Sequence, residues 1–490
     1  MKKFKYIIVL MIGAVLFTAC DDFLDRQPTN SANSATSILD EADAKVAVNG
    51  LMRRMISTDY YGRNFIMYAD AKGGDLAIRR SGRGLDALYT FSHTQQTNNY
   101  SGYWSDLYTT ILQTNNIIAN IEKIEAEGYT SSSLTHYKGQ ALTARALLYF
   151  DLVRIYGKPY TLDKGALGVP LVLDVPDASL QPLRDNVDAV YSQVVADLKA
   201  AEPMLVKTRQ NGHINYYTNI AIQARVYLHM NNLSGALAAA ETIINSGVYS
   251  LYTNEGWVTA WENEFGSESI FELSMRDNEG SLGTASLGYY LMALGKVTGA
   301  SGQFMASGYF LDRLGEDPDD IRWALMDYDE ASEPGNERMG ACMKYVGGHA
   351  LMGDKGANAG SANIKVIRLS EIYLIAAEAA LTSNANKAAD YLNAIRKRSP
   401  NLEPATAATI TLDMILDEKS KELFAEGNRY WDMIRLGKPI EYDDEFNITA
   451  SALTRDKIMD TKTFFKVILP IPQIEIDANP DMQQQQNPGY

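Results

Sequence analysis

Two kinds of residue in this sequence have the chemistry and the setting for a function: aromatic rings beside polar side chains, and a cysteine ending a hydrophobic run. Sugars present apolar C–H faces that stack on rings, and hydroxyls that seek Asn, Gln, Asp and Arg. A glycan platform therefore needs exposed aromatics next to polar groups. The stretch "GGDLAIRRSGRGLDALYTF" supplies Arg79, Arg80 and Tyr89, and a later Gly-rich stretch supplies Tyr289, Tyr290, Phe304, Tyr309 and Phe310. Most of the 29 tyrosines must pack the ring and keep the hydroxyl wet. Core packing therefore competes with ligand contact at each of these positions.

The cysteine is Cys20. Lys2, Lys3 and Lys5 precede "YIIVLMIGAVLFTA", an apolar run of 14 residues from Tyr6 to Ala19. As a helix it would rise about 21 Å, short of a hydrocarbon core of roughly 30 Å. A basic start and a short apolar stretch suit a secretory signal better than a membrane span. Small Ala19 before Cys20 fits a lipobox, where the thiol takes a lipid and the cysteine becomes the mature N-terminus. Phe17 stands where leucine is usual, with Leu16 one step back. The competing reading is an ordinary signal peptide with an accidental cysteine. Acyl chains at Cys20 would tether the product to a membrane without spanning it. No later segment approaches 18 uninterrupted apolar residues.

Other chemistries find less support. Cys342 in "GACMKY" reads as a small packed hydrophobe. There is no CxxC, HExxH or close His/Cys cluster, and five scattered histidines suggest no zinc site. "EDPDD", Glu316 to Asp320, has the hard oxygens that calcium takes. The same acids suit the start of a helix before "IRWALM", where they meet its positive end; this reading is preferred, and no cofactor is expected. "GDKGANAGS" lacks the spacing of a phosphate loop, and no G-x-S-x-G elbow occurs. A carboxylate pair for glycoside hydrolysis is set by separation in space, and nothing in the sequence picks one out. Glu371 and Glu378 share a helical face and read as partners for nearby cations such as Arg368 or Arg396. The net charge is -15, and without residues 1–19 there are 42 basic against 60 acidic residues. Such a chain repels a polyphosphate backbone, so no nucleic-acid partner is expected.

The elements that must position these residues are mostly helices. "SGYWSDLYTTILQTNNIIANIEKIEAEG" repeats apolar residues near helical spacing and ends at Gly128. In "LTHYKGQALTARALLYFDLVRIYGKP", small Ala141, Ala144 and Ala146 let a neighbour approach closely, and Ala146 to Phe150 has tetratricopeptide spacing. Further pairs follow: "NVDAVYSQVVADLKAAEPML" with "TNIAIQARVYLHM", then "NLSGALAAAETIINSG", and later "VIRLSEIYLIAAEAALTS" with "NKAADYLNAIRKRS". They keep no strict period. The expected fold is mainly α: a degenerate tetratricopeptide-like helix-pair scaffold over about 100–247 and 366–437, with an irregular, loop-rich insertion at about 248–365. Residues 20–36, rich in Ser, Asn and Thr, form a lipidated tether ahead of a single domain at 37–490.

Four blocks together resemble the SusD-like (RagB/SusD) family of lipoproteins: "CDDFLDRQP", "RLSEIYLIAAEAALTSNANKAADYLNAIRKRS", "KSKELFAEGNRYWDMIRLGKP" and "ILPIPQIEIDANPDMQQQQNPGY". They occur in the family's order from residue 20 to the end. The resemblance implies an outer-membrane, surface-exposed lipoprotein that captures oligosaccharides and hands them to a TonB-dependent, SusC-like transporter, breaking no bond. It implies an aromatic arc drawn from an early loop and the insertion, the regions of Arg79, Arg80, Tyr89, Tyr289, Tyr290, Phe304 and Tyr309. It also implies that Glu418, Glu422, Glu426, Gly427, Arg429 and Arg435 determine the fold. The alternatives are a peptide or another nutrient as ligand, a lipoprotein glycosidase, and a scaffold for envelope assembly.

Overall fold

The computed structural model describes residues 38–79, 86–96, 102–177, 179–275, 282–293, 300–329, 335, 337–346, 360–443 and 456–490. Cys20, the segments on either side of it, and Arg80 lie outside this set. The helices are α1 (Glu41–Arg54), α2 (Asn64–Lys72), α3 (Asp86–Tyr89), α4 (Gly102–Ala126), α5 (Ser132–Tyr156), α6 (Tyr160–Asp163), α7 (Val187–Ala201), α8 (Tyr216–His229), α9 (Leu233–Ile244), α10 (Trp257–Glu262), α11 (Leu287–Leu291), α12 (Gly308–Gly315), α13 (Leu369–Ala380), α14 (Ala385–Arg396), α15 (Leu412–Glu422), α16 (Arg429–Leu436) and α17 (Gln473–Ala478). The strands are short: β1 (Leu76–Ile78), β2 (Ser269–Leu273), β3 (Phe304–Ala306), β4 (Met326–Asp327), β5 (Ala341–Cys342), β6 (Ile364–Arg368), β7 (Ile440–Glu441) and β8 (Ile458–Met459).

Side-chain caps set many of the helix starts. Ser131 accepts from Leu134 N, Asn186 from Ala189 N, Asn215 from Thr218 N, and Asn384 from Lys387 N. Each cap satisfies a backbone donor that the first turn leaves open. The helices then stack in succession, α4 on α5, α5 on α7, and α8 on α9. α5 is buried on every side from Gly139 to Tyr156, with Ala141, Ala144 and Ala146 wholly inside. A Cβ at Gly139 would come within 2.9 Å of Met204 Cβ, so bare backbone is needed for that close approach.

The insertion does not interrupt the stack. α9 packs directly on α13 although the residues between them belong to the insertion, and α13 continues onto α14. The few short strands expected there are present. β2 pairs antiparallel with β6, immediately ahead of α13, while β3 reaches back to β1 with Ile78 opposite Phe304 and Leu76 opposite Ala306. The acids before "IRWALM" cap a short 3-10 turn, where Asp320 accepts from Arg322 N.

Glu371 and Glu378 do bind cations, but not Arg368 or Arg396. Glu371 takes Arg225 of α8, with Nε donating to Oε1 at 2.5 Å, and Glu378 takes Arg435 of α16 at 2.6 and 2.7 Å. The inward face of α13 meets α8, which brings Arg225 to it. Arg368 ends β6 and turns instead to Glu268, Glu422 and Glu426. The terminal "QNPGY" is also structural. Asn487 Nδ2 donates to Tyr156 O and Leu469 O, and Tyr490 meets the buried ring of His93 at 2.8 Å.

Candidate functional site

The pairing of β1 with β3 draws the two expected aromatic regions together. Arg79 follows β1, and its backbone N–H donates to Gln303 O at 2.9 Å. Its guanidinium donates to Gly302 O at 2.5 Å and Ser301 O at 3.1 Å, so it pins the turn ahead of β3. On the same spot Tyr89 meets Phe304 edge-on at 5.1 Å, and Tyr290 lies 6.4 Å from Phe304. Ser286 caps α11, which carries Tyr289 and Tyr290, and Tyr289 O accepts from Ser301 N.

Tyr89, Tyr290 and Phe304 were expected to offer ring faces to a ligand. Here they are packed core, 0%, 5% and 4% exposed, and a ring without accessible area has no face to offer. The gain from burying large rings against one another outweighs leaving them wet. Arg79 is likewise buried, with its donors turned to backbone. Tyr289 is the member of this group left half-buried at the surface, edge-on to Tyr290 at 5.4 Å. The Arg63 guanidinium lies 4.5 Å over the Tyr290 ring, and its Nε donates to Asn64. Arg63 was not singled out from the sequence, because nothing in its local spacing points to a contact with the insertion.

Tyr309 sits elsewhere. It lies on α12, past the opposite end of β3, and is 38% exposed. Its neighbour Phe310 turns inward and stacks on Phe424 at 3.8 Å. Cys342 is buried, and burial pushes its thiol up to about 11, where it has almost no thiolate at neutral pH. Among the described residues no group of three His, Cys, Asp or Glu could hold a metal ion, and no helix is long and apolar enough to cross a membrane.

A helix-pair stack carrying a loop-rich, aromatic-floored surface defines a binding module, and comparison with known proteins places it. Residues 317–490 match the SusD family, and residues 22–228 match a family described as starch-binding associating with outer membrane. A solved SusD superfamily protein from Bacteroides thetaiotaomicron is 34% identical, with a TM-score of 0.81 over 92% of this chain and 100% of that one. A putative sugar binding protein from Bacteroides vulgatus is 33% identical, with a TM-score of 0.82 over 93% and 100%. SusD-like protein P38 of Formosa agariphila is 24% identical over 97% of this chain and 99% of its own. The chain belongs to the SusD family, a family of carbohydrate-binding proteins associated with the outer membrane.

Proposed function

We propose that this protein captures oligosaccharides at the cell surface and delivers them to a SusC-like, TonB-dependent transporter, breaking no glycosidic bond. The observation that carries the reading is the surface at Tyr289. A half-buried ring packs edge-on against Tyr290, part of a buried floor with Phe304 and Tyr89, and the Arg63 guanidinium covers the Tyr290 ring. A ring already packed in place suits a sugar, because little conformational freedom is lost when the ligand stacks. Lipid on Cys20 would hold the domain at the membrane surface.

A glycan array with the lipid-free domain tests capture. Saturable binding without shorter products is expected, and Tyr289→Ala should weaken it about tenfold while leaving the melting temperature nearly unchanged. Release of shorter oligosaccharides would point to an enzyme, and binding confined to peptides would change the ligand class. The anchor has its own check. Cys20→Ser should move the protein from the outer-membrane fraction to the soluble one, and retention in the membrane would remove lipidation from the account.

A further inference from the structure

We propose that the cleft at Tyr309 is a second saccharide site, separate from the surface at Tyr289 and shaped for a neutral sugar ring. This rests on the carbohydrate reading above but not on the Tyr289 surface. The two lie toward opposite ends of β3. Phe304 at one end packs toward Tyr290, whereas Ala306 at the other leads through Ser307, the cap of α12, to Tyr309.

The cleft has a volume of about 370 Å³ and is walled by α12, α15, α16 and β7. That is at the small end of ordinary ligand pockets, ~300–1,000 Å³. Tyr309 contributes an exposed ring to the cleft wall, with Glu441 on the same lining. Leu416 and Met433 add apolar lining. The polar groups are incompletely used. Arg429, expected to be purely structural, has its Nε buried with no hydrogen-bond partner among the described residues, and its Nη1 reaches only Leu416 O, at 3.3 Å. Asp75 lies 3.8 Å from that Nε and already accepts from both Arg313 amino groups. Asp417 stands 3.8 Å from Arg313, with 40% of its side chain exposed. Burial raises its proton affinity, and Arg313 and Arg429 pull the other way.

Cations and acids are nearly matched on the walls. Arg313, Arg429 and Lys438 face Asp312, Asp413, Asp417 and Glu441, with Lys438 and Asp413 paired at 2.6 Å. This balance favours neither an anion nor a cation. It suits a ligand that donates and accepts at adjacent atoms, as vicinal sugar hydroxyls do between a carboxylate and a guanidinium. The ring on Tyr309 takes the sugar's C–H face.

Titration calorimetry of the lipid-free domain tests this with maltohexaose, laminarihexaose, xylohexaose, a galacturonate oligomer and a tripeptide mixture. At least one neutral hexasaccharide should bind, and Tyr309→Ala and Asp417→Asn should each weaken it about fivefold or more, with melting temperatures within about 2 °C of the parent. Both side chains are partly exposed, so the fold is expected to survive. Unchanged affinity in both variants, with Tyr289→Ala impaired, overturns the second site and leaves the Tyr289 surface standing. The reverse pattern removes Tyr289 and supports the cleft. Tyr309-dependent binding of only the galacturonate or the peptides overturns the neutral-sugar assignment, and no binding of any probe overturns both sites.

Discussion

Arg368→Ala should lower the stability of the fold by about 3–5 kcal/mol, seen as an earlier urea transition. Arg368 has no exposed side-chain surface and sits among three glutamates. Its Nε donates to Glu426 at 2.7 Å, Nη1 to Glu268 at 2.7 Å and to Glu422 at 3.2 Å, and Nη2 to Glu426 at 2.8 Å. Arg398 joins from the other side, with Nε 2.9 Å from Glu422, and Lys344 lies 2.7 Å from Glu426. Trp257 and Trp261 line the cluster, their ring centroids 5.7 and 5.1 Å from the guanidinium. Burial alone would raise the Glu422 carboxyl, but Arg398, Arg368 and Arg322 overrule it and hold it down at about 2. The cluster ties β2, β6, α10 and α15 together, and alanine would leave buried carboxylates without their shared partner. Removing one member of a buried ion group is far worse than never having had it, because the remaining charge keeps its desolvation penalty. A loss below about 1 kcal/mol would show that Arg398 and Lys344 suffice, and would end this account of the cluster.

Asp70 should make the fold less stable as pH rises from about 4 to 8, and Asp70→Asn should abolish that slope. The side chain is fully buried on α2, and burial, with Asp75 adding to it, pushes the carboxyl up to about 8 from an ordinary 3.8. Three backbone N–H groups oppose the shift, among them those of Gly427 at 2.9 Å and Asn428 at 3.3 Å. Between the two values the folded protein holds a proton that the unfolded chain releases. The contribution is therefore complete below about pH 4 and lost as pH climbs toward 8. At ~1.4 kcal/mol per pH unit, the wild type should lose roughly 3–5 kcal/mol against the variant between pH 5 and 8.5. Asparagine resembles the protonated acid in shape and keeps an oxygen for Gly427. Urea titrations at the two pH values decide it, and parallel behaviour of both proteins would mean Asp70 is ionised throughout. The turn it holds also explains Gly427. With φ of +83° and Ile66 Cα only 3.0 Å from any Cβ, that position tolerates no side chain.

Much of the scaffold could be read directly. The alanines of α5 announced a helix hemmed in by neighbours, and the apolar periodicity of the long segments became α4, α5, α7 and α8. The candidate site was legible only as a pair of regions. Nothing local tells Tyr289 from Tyr290, yet one is half-buried at the surface and the other is 5% exposed. Nothing local tells Tyr309 from Phe310 either, at 38% and 1%. Successive residues on a helix point about 100° apart, so which of two rings meets water depends on how the whole helix is docked. The partners of Glu371 and Glu378 escaped for the same reason, since Arg225 and Arg435 arrive from helices far away in the chain.

Periodicity and the four family blocks are properties of neighbouring residues. From them followed the helical class, the family and the expectation of a saccharide ligand. Which ring faces stayed exposed was decided by contacts between distant segments. β1 closing on β3 buried Tyr89, Tyr290 and Phe304 as a floor, turned Arg79 onto backbone, and sent Tyr309 to a separate cleft with an under-used Arg429. Local spacing records how a segment winds, but burial is shared out only when the chain closes on itself, and exposure of a ring is settled in that closure.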